Sequence, residues 1–142
     1  MKLITRSPQE TEQFGEQLGK RLIGNEVLAL RGGMGMGKTA LVRGIARGVG
    51  SKSEVSSPTF ALVHEYTDGK IPLYHFDMYR VASWDDLYST GFFDYLETGV
   101  LVIEWSENIE EALPPQTVFI TLEMGEQETE RIIRISDGGV AP

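Results

Sequence analysis

One eight-residue stretch narrows the possible folds more than any other part of the chain. Gly32-Gly33-Met34-Gly35-Met36-Gly37-Lys38-Thr39 satisfies G-x-x-x-x-G-K-[ST] at every fixed position. The pattern has a physical meaning only between a strand and a helix, and both flanks read that way. Val27-Leu28-Ala29-Leu30 is a short continuous apolar run, suited to a strand buried on both faces. Lys38–Val49 places Leu41, Val42, Ile45, Ala46 and Val49 at helical spacing and closes on Gly50. Glycines let the intervening backbone turn with positive φ and bring successive N–H groups onto phosphate oxygens. The helix opening at Lys38 adds the positive end of its dipole to the same anion. The expected site therefore draws on Gly33, Met34, Gly35, Met36, Gly37 and Ala40 around a nucleotide. Lys38 would reach the β- and γ-phosphates and the Thr39 hydroxyl would bind Mg²⁺. The competing reading is a glycine-rich strand-to-helix turn that holds no ligand.

Composition sets the bounds. With 142 residues, 41% of them apolar, the chain is expected to form one domain over 1–136, leaving 137–142 as a tail with little reason to be ordered. Thirteen Lys and Arg against 21 Asp and Glu leave a formal charge of −8, which argues against direct binding of nucleic acid. The absence of cysteine excludes disulfides and thiolate zinc sites and fits a reducing, cytoplasmic setting. No apolar run approaches the roughly 18–20 residues of a membrane span, and the first ten residues show no secretory h-region.

Other segments follow local rules. Ser7-Pro8-Gln9-Glu10 predicts a helix start with Ser7 as cap and Glu10 placed for a capping box; Phe14, Leu18 and Leu22 recur behind it, and Gly24-Asn25 stops it. Phe60–Tyr66 and Ile71–Met78 flank Asp68-Gly69 as a hairpin. Ser83 caps a short helix that Gly91 ends; Val100–Ile103 is a second buried strand; Asn108–Leu113 is a short helix stopped by Pro114-Pro115. Thr117–Met124 and Thr129–Ser136 alternate around Gly125 as a second hairpin. The expected fold is α/β: a mixed sheet with a parallel centre, antiparallel hairpin strands extending its edge, and helices on both faces.

A phosphate loop needs an acid at the end of a neighbouring parallel strand. Glu104, directly after Val100–Ile103, fits that place, holding a metal-bound water or orienting an attacking one; the alternative is an ordinary charged strand end. Asp77 is the second candidate, or else a turn carboxylate paired with Arg80. Ser56-Ser57-Pro58-Thr59 stands where a γ-phosphate-sensing loop would lie, and equally reads as a plain loop. No N-K-x-D or T-K-x-D follows, which favours ATP over a guanine nucleotide, and no L-S-G-G-Q-like signature precedes Glu104. His64 and His75 on facing arms of one hairpin make a thin metal site and read better as packed or hydrogen-bonded imidazoles. Arg43 and Arg47, one helical turn apart, read as a solvated face.

Together, G-x-x-G-x-G-K-T, V-S-S-P-T-F (Val55–Phe60), Y-H-F-D-x-Y-R (Tyr74–Arg80) and V-I-E-W (Val102–Trp105) resemble the TsaE family, also called YjeE, over roughly residues 7–134. The middle two motifs are the diagnostic ones. The resemblance implies a small P-loop ATPase acting with TsaD and TsaB in forming threonylcarbamoyladenosine on tRNA, with the partners handling the RNA. It implies that Lys38 and Thr39 bind ATP or ADP and Mg²⁺, that Thr59 belongs to a switch-like loop, that Asp77 and Glu104 serve the metal and the attacking water, and that Trp105 lies near the nucleotide. Gly33, where the family commonly has Asp or Glu, and Met36, where Ala is frequent, are departures expected to alter loop flexibility without loss of function. No residue is an obvious arginine finger; Arg80 and a partner protein are the two sources considered. Two other functions remain: a nucleotide-dependent switch or scaffold with incidental hydrolysis, and a small-molecule kinase, which the lack of an Arg-rich lid disfavours.

Overall fold

The alternation of short apolar runs with amphipathic segments yields a seven-stranded sheet with helices on both faces. The chain is seen in a computed structural model that describes residues 1–33, 35–55 and 63–136. Strands β1 (Lys2–Thr5), β2 (Val27–Arg31), β3 (Val63–Tyr66), β4 (Leu73–Asp77), β5 (Val100–Glu104), β6 (Val118–Met124) and β7 (Arg131–Ile135) lie in the order β1-β7-β6-β2-β5-β4-β3. The four central strands β6, β2, β5 and β4 are mutually parallel. The expected antiparallel hairpins are present, but they divide between the two flanks: β3 closes one edge on β4, and β7 followed by β1 closes the other on β6. β1 was not foreseen. It is four residues long with one buried side chain, so its identity as a strand comes from pairing with β7 and carries little hydrophobic signal of its own.

Helix α1 (Pro8–Lys20) begins as its sequence predicts. The Ser7 hydroxyl accepts from the Glu10 N–H at 3.1 Å, and the Glu10 carboxylate reaches back to the Arg6 N–H at 3.0 Å, one residue before the position a standard capping box uses. Its far end closes at Arg21, whose N–H donates to the Leu18 carbonyl at 3.0 Å, and the turn beyond is held by Glu26, whose carboxylate accepts from the N–H groups of Ile23, Gly24 and Asn25. Helix α2 is Lys38–Gly48, and Gly50 follows it at φ +95°. On the other side of the chain's midpoint, Ser83 caps α3 (Trp84–Ser89) through the Asp86 N–H. Gly91, at φ +78°, ends that stretch as expected and then turns directly into α4 (Phe92–Tyr95), a one-turn helix too short to show a periodicity of its own. The expected helix at Asn108–Leu113 is a 3-10 segment, Ser106–Ala112, broken at Ile109; Asn108 is occupied in donating its amide to the carbonyls of Met78 and Tyr79.

Strand alternation sorts the core into two layers. Leu28 and Leu30, Val100 and Val102, and Ile120 and Leu122 face α1 and α2, packing on Leu41, Val42 and Ile45. Val27, Leu101, Ile103 and Phe76 face α3, α4 and the 3-10 segment, packing on Leu87, Phe92 and Ile109. The α1–α2 crossing is unusually close. A Cβ added at Gly19 would lie 2.5 Å from the Ile45 carbonyl, and one at Gly15, Gly44 or Gly48 would press equally into backbone of the facing helix. Contacts climb in step along both helices, Glu12 with Gly44 and Glu16 with Gly48, so α1 and α2 run the same way and bring their N-termini to one end.

Candidate active site

Geometry at the C-terminal ends of the parallel strands follows from that alternation. Glu104 falls on the same face of β5 as Val100 and Val102, and Asp77 on the same face of β4 as Leu73, which is the α2 face. The parallel register then sets Asp77 beside Glu104. Both acids, with Gly35, Gly37, Lys38, Thr39, Tyr79 and Trp105, line one cleft of about 560 Å³. Seven of the residues expected from sequence are thus brought together. Ala40 is buried in the first turn of α2, Gly33 is exposed in the loop, and Met36 is half-buried with its side chain against the core. Met34, the Ser56–Thr59 segment with Thr59, and residues 137–142 lie outside the described residues.

The loop is built as its glycines require. Gly35 and Gly37 take φ of +77° and +97°, and Gly37 is the residue from which α2 springs. Gly33 has an ordinary φ and open space where a Cβ would stand, so the first carbon of a side chain there would meet nothing. Among the described residues, the backbone N–H groups of Gly35, Met36, Gly37, Lys38, Thr39 and Ala40 make no hydrogen bond to protein. Donors that find no acceptor among the described residues, gathered at a helix N-terminus, form a concentrated positive field.

Lys38 Nζ lies 3.6 Å from Glu104 Oε1 and 5.9 Å from the centre of the Trp105 ring. Glu104 Oε2 accepts from His75 Nε2 at 2.6 Å, and His75 is fully buried. Burial pushes the Glu104 carboxyl up, but the His75 hydrogen bond and charge, and after them the Lys38 ammonium, outweigh it and hold the group below the usual carboxylate range. Asp77 makes a turn contact, accepting from the Tyr79 N–H at 2.9 Å, and has no ion pair with Arg80. Arg80 itself is exposed and does not line the cleft. Trp105 adopts the left-handed backbone region at φ +58°, rare for a bulky residue, as the chain turns out of β5; its ring meets Tyr79 edge-on at 4.9 Å.

Two neighbours of this site were missed from sequence. His75 had been weighed against His64, and the two do pair across β3 and β4, yet its hydrogen bond goes to Glu104. Among the described residues no group of three or more His, Cys, Asp and Glu is placed to hold a metal. Arg131, at the start of β7, donates from Nη2 to the Gly35 carbonyl at 3.1 Å. The period-2 pattern of the Tyr74–Asp77 strand could have put His75 on the acid-bearing face; nothing local announces Arg131. Arg47, read as solvated, pairs with Glu12 across the α1–α2 crossing at 2.7 Å.

No helix among the described residues is long and apolar enough to cross a membrane. Residues 5–133 match the family model described as threonylcarbamoyl adenosine biosynthesis protein TsaE. The chain is 42% identical over 123 residues to the tRNA threonylcarbamoyladenosine biosynthesis protein TsaE of Treponema pallidum, covering 86% of this chain and 90% of that one. It is 37% identical over 132 residues to the protein of the same name from Bacillus subtilis, covering 92% and 82%. Among solved structures, YdiB of Bacillus subtilis superposes with a TM-score of 0.79 at 34% identity, over 98% of this chain and 86% of that one. A glycine loop springing from the central strand, two acids in register beside it and a family match across nearly the whole sheet place this chain in the TsaE family.

Proposed function

We propose that this chain binds ATP with Mg²⁺ and hydrolyses it in the service of threonylcarbamoyladenosine formation on tRNA, acting beside TsaD-like and TsaB-like proteins that handle the RNA. The observation that carries the reading is convergence: loop amides with no acceptor among the described residues, the Lys38 ammonium and two carboxylates from adjacent parallel strands open onto one cleft. Amides and ammonium suit a polyphosphate, whereas Asp77 and Glu104 would repel one. The combination suits an anion accompanied by a divalent cation, and Thr39, Asp77 and Glu104 are the residues that would hold it. When bound, such an ion neutralises phosphate charge and polarises the phosphoryl group.

The reaction is in-line attack of water on the γ-phosphorus, forming the new P–O bond as the bond to the β-phosphate oxygen breaks and ADP leaves. Lys38 and the loop amides stabilise charge on the transferring group. Glu104 is ionised at neutral pH and anchored by His75, which suits it to orient the attacking water. Trp105 and Tyr79 wall the cleft on the solvent side. Among the described residues no arginine lines the cleft, so hydrolysis is expected to be slow in isolation and faster in the assembled complex. The charge of −8 fits a subunit that meets proteins and ATP and leaves RNA to its partners.

The test is reconstitution with the two partner proteins, tRNA, ATP and threonylcarbamoyl-adenylate. Multiple turnover that disappears on Lys38→Ala supports the reading. Modification that proceeds equally with Lys38→Ala, or without ATP, overturns it.

A further inference from the structure

Arg131 stands 96 positions from Gly35, yet one guanidinium joins them. Its Nη1 donates to the carbonyls of Glu128 at 2.6 Å and Glu130 at 2.7 Å, in the turn between β6 and β7. Its Nη2 donates to the Gly35 carbonyl at 3.1 Å. Three carbonyls, two from a hairpin turn and one from the glycine loop, therefore share one planar cation, an arrangement that the fork of arginine suits and the point charge of lysine does not. Among the described residues, no other hydrogen bond ties Gly33, Gly35 or Met36 to the rest of the chain. Gly35 needs such a tie more than most residues. It sits at φ +77° with nothing within 4 Å of where a Cβ would be, so neither a side chain nor close packing limits its rotation.

The consequence follows from the peptide unit. The Gly35 carbonyl and the Met36 N–H belong to one planar trans peptide and point in opposite directions. A donor that holds the carbonyl toward β7 aims the Met36 N–H away from β7. We propose that Arg131 is a positioning residue for the phosphate-binding loop: by holding the Gly35 carbonyl it sets the peptide plane that presents the Met36 N–H, so the loop is arranged for an anion before one arrives. The proposal rests on the reading of this loop as a phosphate site. Pre-arrangement of a ligand's donors lowers the ordering cost of binding, so loss of the tie weakens affinity without removing any group that touches the ligand.

The experiment uses the full chain and two variants. Arg131→Met keeps length and removes the donors; Arg131→Lys keeps the charge and removes the fork. In the nucleotide-free proteins the order of the loop backbone is read from ¹⁵N relaxation at Gly35, Met36 and Gly37 and amide hydrogen exchange is read over β6 and β7, and ADP with Mg²⁺ is titrated by calorimetry. In Arg131→Met, the backbone order parameters of the loop are expected to fall from about 0.85 toward about 0.6 while the β6 and β7 strand amides keep their exchange protection, and ADP is expected to bind about tenfold more weakly. Arg131→Lys is expected to behave much like Arg131→Met. Unchanged loop order parameters in Arg131→Met overturn the proposal, as does full recovery by Arg131→Lys, which would make charge rather than the directed hydrogen bond the agent. Loss of β6–β7 protection together with loop order would reduce Arg131 to a structural tie of the hairpin. If the unaltered chain bound no nucleotide, the reading of the site would fail while the relaxation comparison still decided the role of Arg131.

Discussion

The two faces of the sheet are packed by opposite means. On one, α1 and α2 meet through Gly15, Gly19, Gly44 and Gly48, backbone against backbone. On the other, rings fill the space: Phe76 meets Phe92 at 5.7 Å and Tyr95 at 5.2 Å, Tyr74 meets Tyr95 at 4.8 Å, and Phe92 meets Phe93 at 5.4 Å, all edge-to-face. The helix that follows the glycine loop and the face that carries Asp77 and Glu104 belong to the first. Packing without side chains leaves few rotamers to rearrange, so the position of α2 is fixed by contacts that can hardly relax. Packing by rings gains more buried apolar area, and some of it can adjust.

That contrast can be broken from either side. Phe92→Ala should cost about 4 kcal/mol, because it empties a fully buried ring site. Chemical denaturation should show that loss, while ADP affinity of the folded protein stays near that of the unaltered chain. Gly44→Ala should cost about 3 kcal/mol although it adds a single carbon, because that carbon would press on the Glu12 carbonyl of α1. Here weakened ADP binding should accompany the lost stability, since the strain moves α2 and its first turn. Equal effects of the two substitutions on binding would erase the distinction between the faces.

Glu104→Gln tests whether the chemistry resides on the glycine-packed side. Hydrolysis should fall about a hundredfold with nucleotide binding retained. A factor driven by hydrolysis should then bind its partner proteins and stall, whereas a nucleotide-dependent switch would keep supporting tRNA modification. The smallest expected effect lies at the β3–β4 turn, which docks on the end of α2. Hydrogen bonds from the Ser51 hydroxyl and then the Lys52 N–H bring the Asp68 carboxyl down to about 2 from its ordinary 3.8. A group whose folded pKa is depressed stabilises the fold above its unfolded pKa and loses that contribution as pH falls toward the folded value. Asp68→Asn should therefore flatten part of the acid slope of stability between about pH 4 and pH 2, with solvent exposure keeping the effect small. Melting curves across that range would show no difference if the contacts at Ser51 and Lys52 do not form in solution.

What was legible in the sequence was short-ranged. The loop, β2, β5, both hairpins and the caps at Ser7 and Ser83 rest on breakers and periodicities within a few residues, and these survive folding almost unaltered. β1 was hidden because its partner lies at the other end of the chain. Trp105 was placed near the nucleotide by resemblance, but its left-handed backbone was not foreseeable from residue type, which disfavours it. The 3-10 segment Ser106–Ala112 carries the Asn108 contacts to Met78 and Tyr79, about thirty residues away, which local sequence does not announce. The glycine seam left a visible trace, Gly15-x3-Gly19 and Gly44-x3-Gly48, but its meaning depends on the two segments lying side by side. Of the site, the loop and the two acids could be read as residue types at strand ends; their shared face needed the register, and Arg131 needed the whole sheet.

The seam also has a mechanical consequence. Two helices whose main chains interlock cannot slide lengthwise without lifting Cα atoms over the carbonyls of the other, so α1 and α2 form one stiff plate laid on the sheet. The plate has the Ser7 cap at one corner and the first turn of α2 at the next, both at the same end. A push on the exposed side of α1 is delivered to Lys38 as a displacement of the whole plate, with little lost to bending between the two helices.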